Sequence, residues 1–325
     1  MVLAKKWVLR QSFEGEPMNS NVEMVVENIS DDLKEGELLV EAVFLTVDPY
    51  MKIFPIAVGS IMFGEQVAKV IAGKNEKFPM NSHVFGKLGW RSHTVVSEVS
   101  QLEPVPDMGD LPLSTILGVM GMPGMTAYFG VMDSCDPKPG NTFVVNSAAG
   151  AVGSIAGQIA KLKGCTVIGF AGTSEKCKWL KDDLGFDVVF NYKEIDVAKA
   201  LADSAPDGVD CFFDNVGGEE AHKVFEHMNV GGKVAICGCI SGYNNKALTG
   251  SYPLVSVWNK RVKMQGVSGW GCADRWPEAQ SDMLQWIKQG KVKYRETVTE
   301  GIENMAEAFI GLFTGSHTGK AIIKA

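Results

Sequence analysis

Apolar and polar residues follow two different rhythms along this chain, and the change between them falls near residue 117. Before it, short apolar and β-branched runs at 37–43, 67–71 and 94–99 are separated by Gly, Pro, Asn and Asp, the pattern of a compact β-rich domain. After Pro104, Pro106 and Pro112 the apolar runs alternate with helical periodicity, which predicts a parallel sheet wrapped on both faces. Strands are expected at 141–146, 166–171, 187–192, 209–214, 232–240 and 262–267. The helix after the first of them carries Val152, Ile155, Ala156, Ile159 and Ala160 as one apolar stripe and ends at Gly164, where a left-handed cap fits. Further helices are expected at 174–184 and about 277–290, followed by a strand-like run at 296–299, a helix near 305–313 and a closing strand at 321–323. Six strands complete a doubly wound sheet, so the tail is expected to return to the first domain. The expected organisation is an α/β chain with one domain built from 1–117 and 297–325 and another from 118–296.

The turn between the first of those six strands and its helix reads Ala148-Ala149-Gly150-Ala151-Val152-Gly153, a dinucleotide fingerprint with Ala148 in the first glycine's place. Gly150 lets the backbone approach a pyrophosphate, Gly153 lets the helix pack close to the strand, and the N–H groups of Ala151, Val152 and Gly153 stand at the helix's positive end. The alternative is a purely structural tight turn. The next strand ends in Ala171-Gly172-Thr173-Ser174, without the carboxylate that usually binds the ribose hydroxyls of NAD. Lys176, with the hydroxyls of Thr173 and Ser174 beside it, would instead suit a 2′-phosphate, which favours NADPH; Glu175 and Lys176 could also be ordinary charges of a helix's first turn.

Composition narrows the field. Lys+Arg 31 against Asp+Glu 38 gives a net charge of −7 over 325 residues, which disfavours a nucleic-acid partner. Charge appears already at Lys5 and Lys6, too early for a secretory apolar segment, and no apolar run is long enough for a bilayer, so a cytoplasmic protein is expected. The seven cysteines are scattered and read as free thiols. No metal is expected: His222 and His227 diverge on a helix, His83, His93 and His317 lack partners at ligand spacing, and Cys237 and Cys239, which could share a strand face, have no second pair. Gly266-Val267-Ser268-Gly269-Trp270 misses the last glycine of a hydrolase elbow, and no Walker-type loop is present. Hydride chemistry remains.

Several motifs together resemble one family. They are Val47-Asp48-Pro49-Tyr50-Met51-Lys52, Gly121-Met122-Pro123-Gly124-Met125-Thr126-Ala127-Tyr128, the glycine turn, Asp214-Asn215-Val216-Gly217-Gly218 and Ile236-Cys237-Gly238-Cys239-Ile240-Ser241-Gly242-Tyr243-Asn244. The chain resembles, from end to end, the zinc-independent medium-chain dehydrogenases/reductases of the prostaglandin reductase group, also called leukotriene B4 12-hydroxydehydrogenases or alkenal double-bond reductases. That resemblance implies a Rossmann domain beside a discontinuous GroES-like catalytic domain, and a homodimer. Gly64-Glu65-Gln66 stands where zinc-dependent relatives carry Gly-His-Glu. By the same resemblance Lys176 holds the 2′-phosphate, Tyr192 lies along the adenosine, Asn215 meets the nicotinamide end, and Cys237, Gly238, Ser241 and Tyr243 line nicotinamide and substrate. Tyr50 becomes a substrate-pocket wall. Taken singly, Tyr192 could finish a strand, Asn215 could cap the helix near Gly218, and Tyr50 and Tyr243 could be turn aromatics. Two positions depart from the pattern: Ser268 stands where close relatives often have tyrosine, and Gly315-Ser316-His317-Thr318-Gly319-Lys320 replaces Gly-x-Asn-x-Gly-Lys.

The activity so implied is NADPH-dependent reduction of the C=C bond of an α,β-unsaturated aldehyde or ketone, by hydride transfer to the β-carbon. Tyr243 is the candidate donor to the carbonyl oxygen, since a phenol of ordinary pKa near 10 stays protonated at neutral pH. The α-carbon could take its proton from Tyr243 or from water. Rival readings are a quinone reductase of the same fold, oxidation of a secondary alcohol with NADP, and a non-catalytic NADPH-binding relative motivated by Ser268.

Overall fold

The computed structural model describes residues 1–73, 75–245 and 253–325, and the statements below concern these. They form two compact units, one of residues 1–117, 296–317 and 321–325, the other of 118–295 and 318–320.

The first unit begins with β1 (Val2–Leu9) and β2 (Val22–Ile29), an antiparallel pair. Then come β3 (Leu38–Thr46), β4 (Gln66–Gly73), β5 (His83–Gly86), β6 (His93–Val96) and β7 (Leu102–Pro104). The chain then enters the second unit through α1 (Met122–Phe129), whose proline in the first turn fits a helix start. Strands β8 (Thr142–Val145), β9 (Thr166–Ala171), β10 (Val188–Asn191), β11 (Val209–Asp214), β12 (Met228–Ile236) and β13 (Lys263–Gly266) follow. Between them lie α2 (Gly153–Leu162), α3 (Ser174–Lys178), α4 (Val197–Ser204), α5 (Gly218–Glu226), the single turn α6 (Ile240–Tyr243) and α7 (Leu254–Asn259), and α8 (Trp276–Lys288) comes last. The chain returns with β14 (Glu296–Glu300), α9 (Met305–Thr314) and β15 (Lys320–Lys324), giving a sheet ordered β14-β15-β3-β4-β5-β7, with β6 also against β3.

The return has a physical cause. Ile302, Met305, Ala306 and Phe309 are buried in one cluster with Trp7, Leu45, Met62 and Trp90, so the first unit's core is incomplete without the chain's end. The indole N–H of Trp7 donates to the carbonyl of Ile302 at 2.8 Å. Burying side chains of this size contributes roughly 1.5–3 kcal/mol each.

The second unit's sheet runs β10-β9-β8-β11-β12-β13, all parallel, so the strand order reverses direction beside β8. Phe143, Val144 and Val145 of β8 are fully buried, which is why this strand reads as an unbroken apolar run. Helix α2 lies close to the sheet through Gly157: a Cβ there would fall 2.1 Å from Cζ of Phe186, and one on Gly169 of β9 would fall 2.7 Å from the same ring.

Two elements differ from the sequence expectation. The helix expected at 174–184 is α-helical only to Lys178 and then winds as a π-helix, Trp179–Asp183, which carries Trp179 and Leu180 into the interior. The strand expected at 232–240 starts earlier and stops at Ile236, because the N–H groups of Cys237 and Gly238 both turn onto the carbonyl of Asp214, at 2.8 and 3.2 Å. Cys237 and Cys239 therefore share no strand face.

Gly157→Ala tests the helix–sheet contact. A helical Gly→Ala change alone gains about 1 kcal/mol, but here the methyl meets a ring that is 1% exposed and hemmed in from Gly169 as well. Overpacking of this kind costs roughly 1–3 kcal/mol, so urea unfolding should show a net loss of stability.

Candidate functional site: three clusters along the strand ends of the second unit

The glycine turn forms the middle cluster. Ser147 leaves β8 with φ of 45°, a left-handed conformation uncommon for a residue with a side chain. Its carbonyl accepts from the N–H of Gly150 at 2.9 Å. A Cβ on Gly150 would lie 3.2 Å from that oxygen and one on Gly153 only 2.5 Å from it. Among the described residues, no backbone carbonyl receives the N–H of Val152 or Gly153. These donors, the positive end of a ten-residue helix and the missing side chains at Gly150 and Gly153 fit a pyrophosphate. The tail closes the turn from another side: the N–H of Gly319 donates to Ala149 at 2.8 Å. Gly319 has φ of 70°, and a Cβ there would fall 1.9 Å from the carbonyl of Arg295, so the backbone course requires glycine.

A second cluster gathers at the ends of β9 and β10. Thr173 caps α3, its hydroxyl accepting from the N–H of Lys176 at 3.2 Å, and the backbone N–H of Tyr192 donates to Ala171 at 3.1 Å. Tyr192 is 42% exposed, so its ring is available as a flat surface. Glu175 is exposed in the first turn of α3, and β9 itself ends in Ala171 and Gly172. Burial holds the Lys176 ammonium below its ordinary value, with the charge of Lys193 acting the same way and Glu175 opposing.

The third cluster joins the ends of β8, β11 and β12. The buried Asp214 accepts through Oδ1 from the side chain of Asn146 at 2.7 Å, from Gly217 N at 2.8 Å and from Val216 N at 3.0 Å. Asn146 in turn accepts from the N–H of Asn215 at 2.7 Å, and its carbonyl takes Nδ2 of Asn215 at 2.9 Å. Asn215 is thus held at the strand edge and does not cap the helix; Gly217, with φ of 64°, occupies that position. Residues 237–243 fold over this turn. Ser241 bonds Val216 through both its N–H and its hydroxyl, at 3.1 and 2.6 Å, and Tyr243 Oη accepts from Cys239 N at 3.4 Å. A Cβ on Gly238 would come 3.1 Å from that Oη and 3.3 Å from Asn215 O, so Asn215, Gly238 and Tyr243 are brought together. In the bond from Cys239 the phenol oxygen is the acceptor, through one of its lone pairs.

Burial pushes the Asp214 carboxyl above the usual carboxylate range, against the three hydrogen bonds that lower it. Burial, and then the Asp214 charge, push the Cys237 thiol up to about 12, and Cys239 is raised by the same two causes.

Two expected residues lie outside these clusters. Tyr50, in the first unit, packs with Phe54 and Phe63 at ring separations of 5.4 and 6.0 Å, and burial holds its phenol protonated far above neutral pH. Ser268 is exposed and precedes the turn Gly269–Arg275 just past β13, two strands over from Asn215. His317 sits in the first unit with Nε2 2.7 Å from the carbonyl of Ala308. Sequence reasoning assigned no role to Asn146, Lys193 or Gly319. Asn146 reads in the sequence as the last residue of a strand, and its cross-strand amide contact follows only from the pairing of β8 with β11.

Comparison with known proteins places this geometry. Residues 5–105 match a family profile described as "N-terminal domain of oxidoreductase", and residues 151–288 match one described as "Zinc-binding dehydrogenase". Among the described residues no three His, Cys, Asp or Glu side chains are grouped to hold a metal. The chain is 48% identical over 336 residues to "Prostaglandin reductase 1" of Bos taurus, covering 100% of each, and 38% identical to "2-alkenal reductase (NADP(+)-dependent)" of Nicotiana tabacum, covering 98% and 96%. The solved structure of CurA from Vibrio vulnificus in complex with NADPH superposes with a TM-score of 0.92 at 38% identity, covering 99% of each chain. The chain belongs to the prostaglandin reductase and alkenal double-bond reductase family of zinc-independent medium-chain dehydrogenases/reductases.

The thiol at the strand end gives a direct check. With its pKa near 12, only about one part in ten thousand of Cys237 is thiolate at pH 8, and the thiolate is the reactive form. Iodoacetamide at pH 8 should leave Cys237 unmodified in the folded protein and label it in urea, as read by peptide mass spectrometry.

Proposed function

We propose that this protein reduces the C=C bond of α,β-unsaturated aldehydes and ketones, including prostaglandin-type enones, with NADPH. The observation that carries the reading is the assembly of Asn215, Gly238 and the Tyr243 phenol at the ends of β11 and β12, in a chain of the reductase family. When bound, NADPH supplies the hydride that the β-carbon accepts. The chain's own groups do the rest. Gly150, Ala151, Val152 and Gly153 receive the pyrophosphate, while Thr173, Lys176 and Tyr192 hold the phosphorylated adenosine. Asn215, Cys237, Gly238 and Ser241 fix the nicotinamide end. Such placement converts a bimolecular encounter into an oriented one. As the double bond is reduced, negative charge builds on the carbonyl oxygen, and the Tyr243 hydroxyl donates to it. The α-carbon takes its proton from Tyr243 or from water. Ser268 leaves more room than the tyrosine of close relatives, and Tyr50 keeps the substrate role the resemblance implies, its ring packed within the first unit against Phe54 and Phe63.

The protein works as a cytoplasmic homodimer on this reading. Free cysteines throughout the described chain suit a reducing compartment, and no helix among the described residues is long and apolar enough to cross a membrane. Leu254, Val255 and Trp258 of α7 are 71%, 74% and 78% exposed, and α7 leads into β13, an edge strand. An apolar face beside an open edge supports contact with a second copy there.

Following loss of NADPH absorbance with an enal, an enone and a quinone tests the chemistry. Turnover is expected with the enal and enone; turnover with the quinone alone would make the protein a quinone reductase, and none at all a non-catalytic NADPH binder. Tyr243→Phe should lower kcat on the order of a hundredfold while NADPH affinity holds. Trp258→Glu should shift the light-scattering mass from two chains to one.

A further inference from the structure

We propose that Lys193, on the turn after β10, is a second cation of the 2′-phosphate subsite and sets the preference for the phosphorylated cofactor jointly with Lys176; this rests on the NADPH reading above. Strands β9 and β10 are parallel neighbours with Asn191 opposite Ala171, so Gly172 and Tyr192 emerge side by side. A Cβ on Gly172 would lie 3.3 Å from Cε1 of Tyr192 and 3.5 Å from Cε of Lys193. Both side chains therefore fold back over the end of β9, and the missing side chain at 172 leaves room for them. The Lys193 ammonium lies 6.0 Å from the centroid of the Tyr192 ring. The turn that carries it is fixed: Asn191 Oδ1 accepts from the N–H of Lys193 at 3.2 Å and the carbonyl of Asn191 accepts from Glu194 at 3.0 Å.

Lys176 stands on α3, which begins at Ser174, two residues after Gly172, and its backbone N–H is pinned to Thr173. The two lysines are near enough that the charge on one acts on the other, with Glu175 as a partial counterweight. A pair of ammonium groups beside a phenol and a backbone without a side chain is the chemistry of a site for a phosphate, which carries up to two negative charges and three acceptor oxygens. A ribose hydroxyl carries no such charge, so the phosphorylated form offsets the positive charge of the two lysines and the unphosphorylated form does not. The competing account is a surface lysine that lays its stem on Tyr192 and keeps its head in water; in that case its removal would leave cofactor selection untouched.

The test titrates the full-length protein with NADPH and with NADH by quenching of tryptophan fluorescence, in Lys193→Met, Lys193→Arg, Lys176→Met and the double variant. Lys193→Met should weaken NADPH roughly tenfold and change NADH less than twofold, with a shallower salt dependence for NADPH. Lys193→Arg should restore most of the loss, and the two lysine effects should be non-additive in the double variant. Unchanged NADPH affinity in Lys193→Met, or equal losses for NADPH and NADH, would overturn the proposal. Wild-type protein that binds both cofactors alike would remove the NADPH reading itself and this subsite with it, an outcome visible before any variant is made.

Discussion

The close approach of α2 to the end of β8, organised around one backbone carbonyl, is the constraint on which the second unit depends. Ser147 accepts a left-handed φ of 45° so that its carbonyl can turn inward, and Gly150 and Gly153 then pass within the space a side chain would fill. Strained backbone of this kind costs on the order of 1–3 kcal/mol and persists only where the surroundings fix it. Here Gly157 and Gly169 both rest on Phe186, locking helix and sheet together, and Gly319 ties the turn from the tail. The helix terminus is useful to an anion only because it is brought this near: the dipole's influence falls off within its first turn. Anion binding is thus a product of glycine packing before it is a product of charge.

The edge at β8 and β11 is organised differently, by an amide clamp in place of small residues. Asn146 donates to Asp214 and accepts from Asn215 N, so its orientation follows from its two partners. Asn215 spends one of the two N–H groups of Nδ2 on the carbonyl of Asn146, which fixes the plane of its amide at the strand edge. Burying Asp214 is unfavourable, as its raised pKa records, yet its Oδ1 collects the Asn146 amide and two N–H groups of the turn leading into α5.

Much of this was legible in the sequence where burial writes a simple pattern. Strands β8, β9 and β11 lie within the buried sheet, and their apolar runs predict them to within a residue. The pair β1 and β2 was harder to see: Lys5 and Lys6 in β1 and Glu23 and Glu27 in β2 interrupt the apolar residues, so no continuous apolar run marks them. The end of β12 depends on hydrogen bonds to Asp214 across the sheet, and the π-winding after Lys178 on where Trp179 packs. Neither is a local property. The same holds for the site. Lys176 and Tyr192 follow from strand ends and motif spacing, whereas the nearness of Lys193 to Lys176 comes from the pairing of Asn191 with Ala171.

The two departures from the family pattern bear on different parts of the chemistry. On the proposed reading the donor to the carbonyl oxygen is Tyr243, whose Oη accepts from Cys239 N and lies beside Gly238, and none of those contacts involves Ser268. On that same reading, serine at 268 in place of the tyrosine of the family pattern changes volume and polarity without touching the donor's contacts, an effect on which substrates fit more than on whether reduction occurs. His317 is held by its own unit, its ring against the carbonyl of Ala308 on α9. The neighbouring Gly319 nonetheless keeps its bond to Ala149 and its left-handed conformation. What the tail contributes to the phosphate turn is thus a backbone contact, which tolerates a different side chain two residues away but no side chain at all at 319.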